Sequence, residues 1–107
     1  FIATDGGVLK IDKKTSTMKN YSTLDGLVND AVKDIMVDDK GYLWVGTING
    51  LSLINIETDE IIDMTDYISD DKYIKHMYQD IYGNYYLGLL RDDGLCYINR
   101  KEKTIKG

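Results

Sequence analysis

The chain has 107 residues, 43% of them hydrophobic, and 18 acidic against 13 basic side chains give it a net charge of −5. Its lysines and arginines are scattered, paired only at sites such as Lys13-Lys14 and Arg100-Lys101, so it lacks the basic patch that nucleic acid or an anionic membrane surface requires. No apolar run approaches the roughly 20 residues of a membrane span, and a single cysteine, Cys96, excludes an intramolecular disulfide and a cysteine-based zinc cluster.

Nine tyrosines, one tryptophan and many β-branched residues favour strands. There is no proline, and ten glycines are spread along the chain, a pattern of frequent short turns. Aspartate outnumbers glutamate fifteen to three. Its short side chain bonds nearby backbone N–H groups, so the excess fits a turn-rich β protein. The chain opens inside a strand-like segment and carries no signal peptide. It is therefore expected to be a piece of a larger protein.

In chain order the expected strands run over about 1–4, 7–12 and 17–21, then 31–37, 42–47, 50–56 and 60–65, then 73–79, 84–90, 94–99 and 103–106. The series repeats itself. Residues 30–46 align with 72–88 at an offset of 42, setting Lys33 on Lys75, Asp38 on Asp80, Gly41 on Gly83 and Gly46 on Gly88. The segment from Ile2 aligns with that from Val45 at an offset of 43, so that Thr4 meets Thr47, Gly7 meets Gly50 and Ile11 meets Ile54. GLSLIN from Gly50 returns as GLCYIN from Gly94 at an offset of 44. Two extra residues therefore enter the third copy between Leu89 and Gly94. Asn49-Gly50 between apolar runs is a hairpin signal, because both residues tolerate positive φ.

Leu51, Leu53, Ile54 and Ile56 form a nearly continuous apolar run, as do Leu43, Trp44 and Val45. Strands of this kind expect burial on both faces. Stacked blades of four antiparallel strands around an axis meet that demand, giving an all-β, partial β-propeller of just under three blades, at about 1–25, 26–68 and 69–107. A small sandwich with accidental similarity between hairpins is the alternative. A solenoid with helices is disfavoured because no segment keeps a 3.6-residue apolar period.

The segment YSTLDGLVNDAVKDIMVDDKGYLWVGTINGLSLIN, from Tyr21 to Asn55, resembles the two-component regulator propeller repeat. The resemblance lies in Asp25-Gly26-Leu27, the strand Val32 to Val37, Asp39 to Gly41, Leu43-Trp44-Val45-Gly46-Thr47 and Gly50-Leu51. The third copy departs from it at Tyr85-Tyr86-Leu87-Gly88-Leu89 and at Asp70-Asp71-Lys72. The Gly-His and Trp-Asp signatures of WD repeats are absent. The resemblance implies the extracytoplasmic, periplasmic or cell-surface part of a membrane-anchored bacterial receptor, whose output domain is a histidine kinase or a diguanylate cyclase. It also implies a nutrient-derived signal such as a saccharide. Fold alone does not fix function.

Catalytic chemistry finds little footing, and this segment is expected to be no enzyme and to need no cofactor. His76, the only histidine, stands where the second copy has Asp34 and has no nucleophile signature beside it. Cys96 occupies the position of Ser52 and reads as a packed thiol. The pairs Asp38-Asp39, Asp70-Asp71 and Asp92-Asp93 lack regular calcium-loop spacing and read as solvated turns.

Turns alternate between the two ends of an up-and-down blade. One end then collects Asp5, Asp25, Asn29, Asp30, Asn49, Asp66, Asp70, Asp71, Arg91, Asp92 and Asp93, relieved mainly by Arg91 and Lys72. The other is mixed in charge, with Lys13, Lys14, Asp38, Asp39, Lys40, Glu57, Asp59, Glu60, Lys101, Glu102 and Lys103. Insertions in repeat proteins map to the binding face. The expected ligand-binding residues are therefore Asn49, Asp70, Asp71, Arg91, Asp92 and Asp93. The tyrosines Tyr42, Tyr82, Tyr85 and Tyr86 are expected to pack between blades.

Fewer than three blades cannot close a ring. The piece is expected to bind the remaining blades of its parent or to associate with itself. Two other functions stay open, a non-catalytic protein-interaction propeller and a set of blades from a propeller hydrolase or lyase whose active site lies elsewhere.

Overall fold

The computed structural model describes residues 1–68, 72–90, 95–98 and 105–106, the last two segments as backbone only. Eleven strands are present among them: β1 (Ile2–Thr4), β2 (Gly7–Asp12), β3 (Thr17–Tyr21), β4 (Val32–Val37), β5 (Tyr42–Thr47), β6 (Gly50–Asn55), β7 (Ile61–Asp63), β8 (Ile74–Gln79), β9 (Tyr85–Leu89), β10 (Leu95–Ile98) and β11 (Ile105–Lys106). They form three antiparallel sheets, β1-β2-β3, β4-β5-β6-β7 and β8-β9-β10-β11, each strand pairing with its neighbour in sequence. This is the up-and-down order of propeller blades.

The expected strands are all present: β2, β3 and β5 keep their expected bounds, β1, β4, β6 and β8 lose one residue at one end, and β7 and β9 are shorter at both. Side chains make the difference. The Asn55 Oδ1 accepts the N–H groups of Glu57 and Thr58 at 3.0 and 3.2 Å, turning the chain just after Ile56, whose N–H still donates to the Gly41 carbonyl at 3.1 Å. The Asp63 Oδ1 accepts the Thr65 N–H at 2.8 Å and stops β7 two residues early. Two 3₁₀ turns that strand periodicity does not reveal follow the outer strands, at Thr23–Asp25 and Thr65–Tyr67. The first has a capping box. The Ser22 hydroxyl accepts from the Leu24 N–H at 3.2 Å and the Asp25 carboxylate accepts from the Ser22 N–H at 3.0 Å.

Alternation along the strands explains the apolar runs. In β6, Leu51 and Leu53 lie on the face that packs on Ile74, Tyr85, Leu87 and Leu89 of the third sheet. Ile54 lies on the opposite face, with Leu43, Val45 and Val32, against Val8 and Tyr21 of the first sheet. The second sheet is thus buried on both sides, and Leu43, Val45, Leu51 and Ile54 have no solvent exposure. The inner strands β4 and β8 each carry a bulge at the same repeat position, Val32/Asp34 and Ile74/His76.

The hairpins β1–β2 and β5–β6 use one device. Thr4 Oγ1 donates to the Gly7 carbonyl at 2.9 Å and accepts the Gly6 N–H at 3.1 Å. Thr47 Oγ1 likewise donates to the Gly50 carbonyl at 2.8 Å and accepts the Asn49 N–H at 3.2 Å. Both closing glycines have positive φ, 113° at Gly7 and 135° at Gly50. At Gly7 a Cβ would stand 2.0 Å from the Tyr21 carbonyl oxygen, whereas at Gly41 (φ 86°) it would meet nothing within 4 Å. Gly7→Ala is therefore expected to destabilise the chain by clearly more than the roughly 1 kcal/mol of Gly41→Ala, since only the first adds a backbone clash to conformational strain. Urea unfolding of the two variants measures the difference.

Candidate functional site

The turns between inner and second strands are each organised by one aspartate. Asp38 Oδ1 accepts the N–H groups of Lys40 and Tyr42 at 2.8 and 2.9 Å, and Asp80 Oδ1 accepts those of Tyr82 and Asn84, both at 2.9 Å. The second oxygens extend the pattern into the following strand. Asp38 Oδ2 receives the Trp44 indole N–H at 2.9 Å, and Asp80 Oδ2 receives the Tyr86 hydroxyl at 2.9 Å. Every donor recurs at the repeat offset of 42. Burial pushes the Asp80 carboxyl up. The bonds from the Asn84 N–H, the Tyr86 hydroxyl, the Asn84 amide and the Tyr82 N–H outweigh it and hold the group below its ordinary value.

Asp38 also joins two blades. Its Oδ2 accepts the Tyr85 hydroxyl of the third sheet at 3.1 Å, and the Tyr85 ring stacks on Trp44 with centroids 4.1 Å apart. Closer to the axis, Asp34 Oδ2 accepts the Met77 N–H of β8 at 2.7 Å. At the turns, the Gln79 amide donates to Asp39 at 3.1 Å. Tyr85 thus packs between blades as expected. Tyr82 does not, being 77% exposed at the tip of its turn, where the equivalent residue of the second copy is Lys40.

The first seam is held on its outer side. The Tyr21 hydroxyl donates to Asp59 Oδ1 at 2.5 Å and the Lys19 ammonium lies 3.2 Å from Asp59 Oδ2. Asp59 sits at positive φ, 65°, in the β6–β7 turn. Burial, the bond to Asp59 and the charges of Asp59 and Asp25 push the Tyr21 hydroxyl well above its usual value. The bonds from Tyr21 and Lys19 hold the Asp59 carboxyl below its own, against a smaller burial effect.

Of the residues assigned to ligand binding from sequence, Asn49 is described. Asp70, Asp71, Arg91, Asp92 and Asp93 lie outside the described residues. Asn49 is exposed at the apex of the β5–β6 hairpin, and its neighbour Gly50 donates its N–H to the Lys72 carbonyl at 2.8 Å. Its side chain therefore stands on a backbone fixed from two sides.

Other polar groups of this end are engaged locally. Asp30 accepts the Thr23 N–H at 2.8 Å, Asn29 accepts the Ala31 N–H at 2.8 Å, and Asp25 belongs to the capping box. The Lys72 ammonium is committed too, donating to the carbonyls of Thr65 and Ile68 at 3.2 and 3.1 Å. It ties down the 3₁₀ turn. His76 is exposed on β8. Among the described residues no three His, Cys, Asp or Glu side chains are grouped as a metal site would need, and no helix is long and apolar enough to cross a membrane.

Two expectations follow. Asp38→Ala strands the Trp44 indole N–H in a buried seam and removes the acceptor that ties the Tyr85 hydroxyl to the second sheet. It should cost more than about 2 kcal/mol, against about 1 kcal/mol for Tyr85→Phe, which leaves the Trp44–Asp38 bond in place. Emission of Trp44, the only tryptophan, reports the seam during urea unfolding.

The second concerns pH. Asp59 and Asp80 lie below the ordinary 3.8 in the folded chain, so the unfolded chain binds more protons near that value. Their stabilisation is complete above about pH 3.8 and is lost as pH falls through the lower folded values. Tyr21 lies above the ordinary 10.0. Its contribution is intact below pH 10 and is lost as pH rises through the folded value. Unfolding midpoints should fall at both extremes, and Tyr21→Phe should flatten the alkaline limb.

Comparison with known proteins bears on the whole arrangement. Residues 26–49 match the family model for the two component regulator propeller. The chain is similar to the extracellular domain of BT4673 from B. thetaiotaomicron, described as a one component system, at 25% identity and a TM-score of 0.79, covering 94% of this chain and 15% of that one. A second structure of the BT4673 extracellular domain, described as a hybrid two component system, matches at 26% identity and a TM-score of 0.77, with 94% and 15% covered. The extracellular domain of BT3049, a hybrid two component system of the same organism, shares the fold at 20% identity and a TM-score of 0.73, with 94% and 13% covered. No curated protein matches the chain. The chain spans about one seventh of these domains and folds as just under three antiparallel blades, within which residues 26–49 match the two component regulator propeller repeat.

Proposed function

We propose that the chain is a sensory, ligand-recognising segment of an extracytoplasmic β-propeller in a bacterial two-component sensor kinase or related membrane receptor. The observation that carries this reading is the likeness of 94% of the chain to the extracellular domain of BT4673. The match of residues 26–49 to the regulator propeller repeat supports it.

The chain's own task in this reading is binding. Recognition falls to the end where successive blades are linked, through Asn49 and the loop residues Asp70, Asp71, Arg91, Asp92 and Asp93. Amide and carboxylate groups suit a hydroxyl-rich ligand such as a saccharide, because each hydroxyl can donate to one group and accept from another. The support under Asn49 favours such a role, since a side chain on an immobilised hairpin loses little entropy on binding. Phosphoryl transfer or cyclase chemistry belongs to an output domain elsewhere in the receptor. Occupation of the site shifts the receptor between conformations only by its difference in affinity for them.

The test is thermal unfolding of the complete receptor ectodomain with a panel of saccharides and nutrient metabolites. A true ligand at about 100 times its Kd should add about 2.7 kcal/mol of stability. Asp92→Lys with Asp93→Lys should abolish that shift while leaving the unliganded midpoint in place. A shift that survives the charge reversals overturns the assignment of the loops, and a panel without effect overturns the ligand class.

A further inference from the structure

We infer that the axial edge of the inner strands β4 and β8 is an anion site, in which Lys33 and Lys75 together hold a ligand carrying two or more acid groups. The site is separate from the linking end of the blades, where Asn49 stands.

The two strands align as VKDIMV and IKHMYQ, and lysine is their one identical residue. Both lysines fall inside the bulges, between Val32 and Asp34 and between Ile74 and His76, where the ladder to the second strand skips a residue. A bulge re-aims the side chain of its extra residue. Within their sheets β4 and β8 pair on one side only, with β5 and β9, so their free edges border the axis around which blades are set. Lys33 is exposed although its sheet is packed on both faces, and Lys75 is exposed likewise. Exposure therefore belongs to this position in the repeat.

The two ammonium groups stand on neighbouring strands and are uncompensated. Asp34 Oδ2 reaches across to the Met77 N–H at 2.7 Å, which sets the two bulges side by side. Its Oδ1 accepts the Ile35 N–H at 3.0 Å, so the carboxylate that follows Lys33 in sequence is turned to backbone donors. Among the described residues neither lysine has a hydrogen bond or an ion pair. Like charges on adjacent strands repel each other, yet the pair recurs at one repeat position, in a chain of net charge −5. An anion placed between them turns that repulsion into attraction, and one with two acid groups engages both ammonium groups at once. Lysine stems are long and flexible enough to close on such a ligand without movement of the strands that carry them. His76, exposed beside Lys75, adds an imidazole N–H donor.

Calorimetric titration of the complete receptor ectodomain with citrate at fixed ionic strength tests this, with acetate as the singly charged comparison. Citrate should bind and acetate should not. Lys33→Gln and Lys75→Gln should each weaken citrate binding about fivefold, the loss expected for one exposed ion pair, and the double exchange should remove it. Lys33→Arg with Lys75→Arg should keep it, and so should Lys40→Gln, which alters an exposed lysine in the β4–β5 turn. Circular dichroism checks that each variant keeps its sheet content. Citrate that fails to bind overturns the proposal, as does acetate that binds equally well. A double Gln variant that binds like the parent also overturns it, and so does an equal loss in Lys40→Gln, which would mean attraction to charge in general.

Discussion

Everything in this chain depends on one requirement, that a four-stranded sheet be covered on both faces at once. β5 and β6 show it most clearly. Leu51 and Leu53 go into one cluster, Leu43, Val45 and Ile54 into the other. Neither face can be left in water without exposing several large apolar side chains, at about 25 cal/mol per Å² of apolar surface. A sheet of this composition is stable only between two others like it. The stacking of blades is therefore a consequence of strand composition rather than of any special linking element.

Polar chemistry is confined to the places where that stacking must be aimed. The Asp38 and Asp80 turns present the second strand at a fixed angle, the Thr4 and Thr47 hairpins return it, and single side chains cross the seams. The two seams are pinned differently. Between the second and third sheets the ties run through Asp34, Asp38 and Tyr85 near the inner strands. Between the first and second, Tyr21, Lys19 and Asp59 close the outer edge. Among the described residues, Asp12, Asp25, Asp30, Asp38, Asp63 and Asp80 are thus backbone acceptors in turns, and that much of the acidity serves loop architecture.

The strands were legible in sequence because their signals are local and repeated. Short, nearly continuous apolar runs, Asn-Gly and Asp-x-x-Gly turns and an offset of 42 to 44 all reinforce one another. Asp38 and Asp80 coincide in the alignment, so their common role could have been anticipated from it. The 3₁₀ turns could not, since three residues carry no periodicity. Nor could the Tyr21–Asp59 tie, which joins residues 38 apart at positions without a counterpart in the next seam. Lys72 shows the limit of counting charges. Sequence placed it on an acidic end, and the structure adds a second task, since its ammonium also holds two carbonyls. Of the candidate recognition residues, sequence located Asn49 at a hairpin tip. How that tip is buttressed depended on a backbone contact from Lys72 that no motif encodes.

The Asp38 carboxylate receives three donors from its own repeat, the N–H groups of Lys40 and Tyr42 and the Trp44 indole, and a fourth, the Tyr85 hydroxyl, from the next. A tandem gene duplication that copies such a unit copies most of its wiring with it. Only the fourth donor must be renegotiated at a new junction. In the third repeat the corresponding place is filled from within, by the Asn84 amide. Blade number can thus drift over evolutionary time without each new blade having to reinvent its own turn.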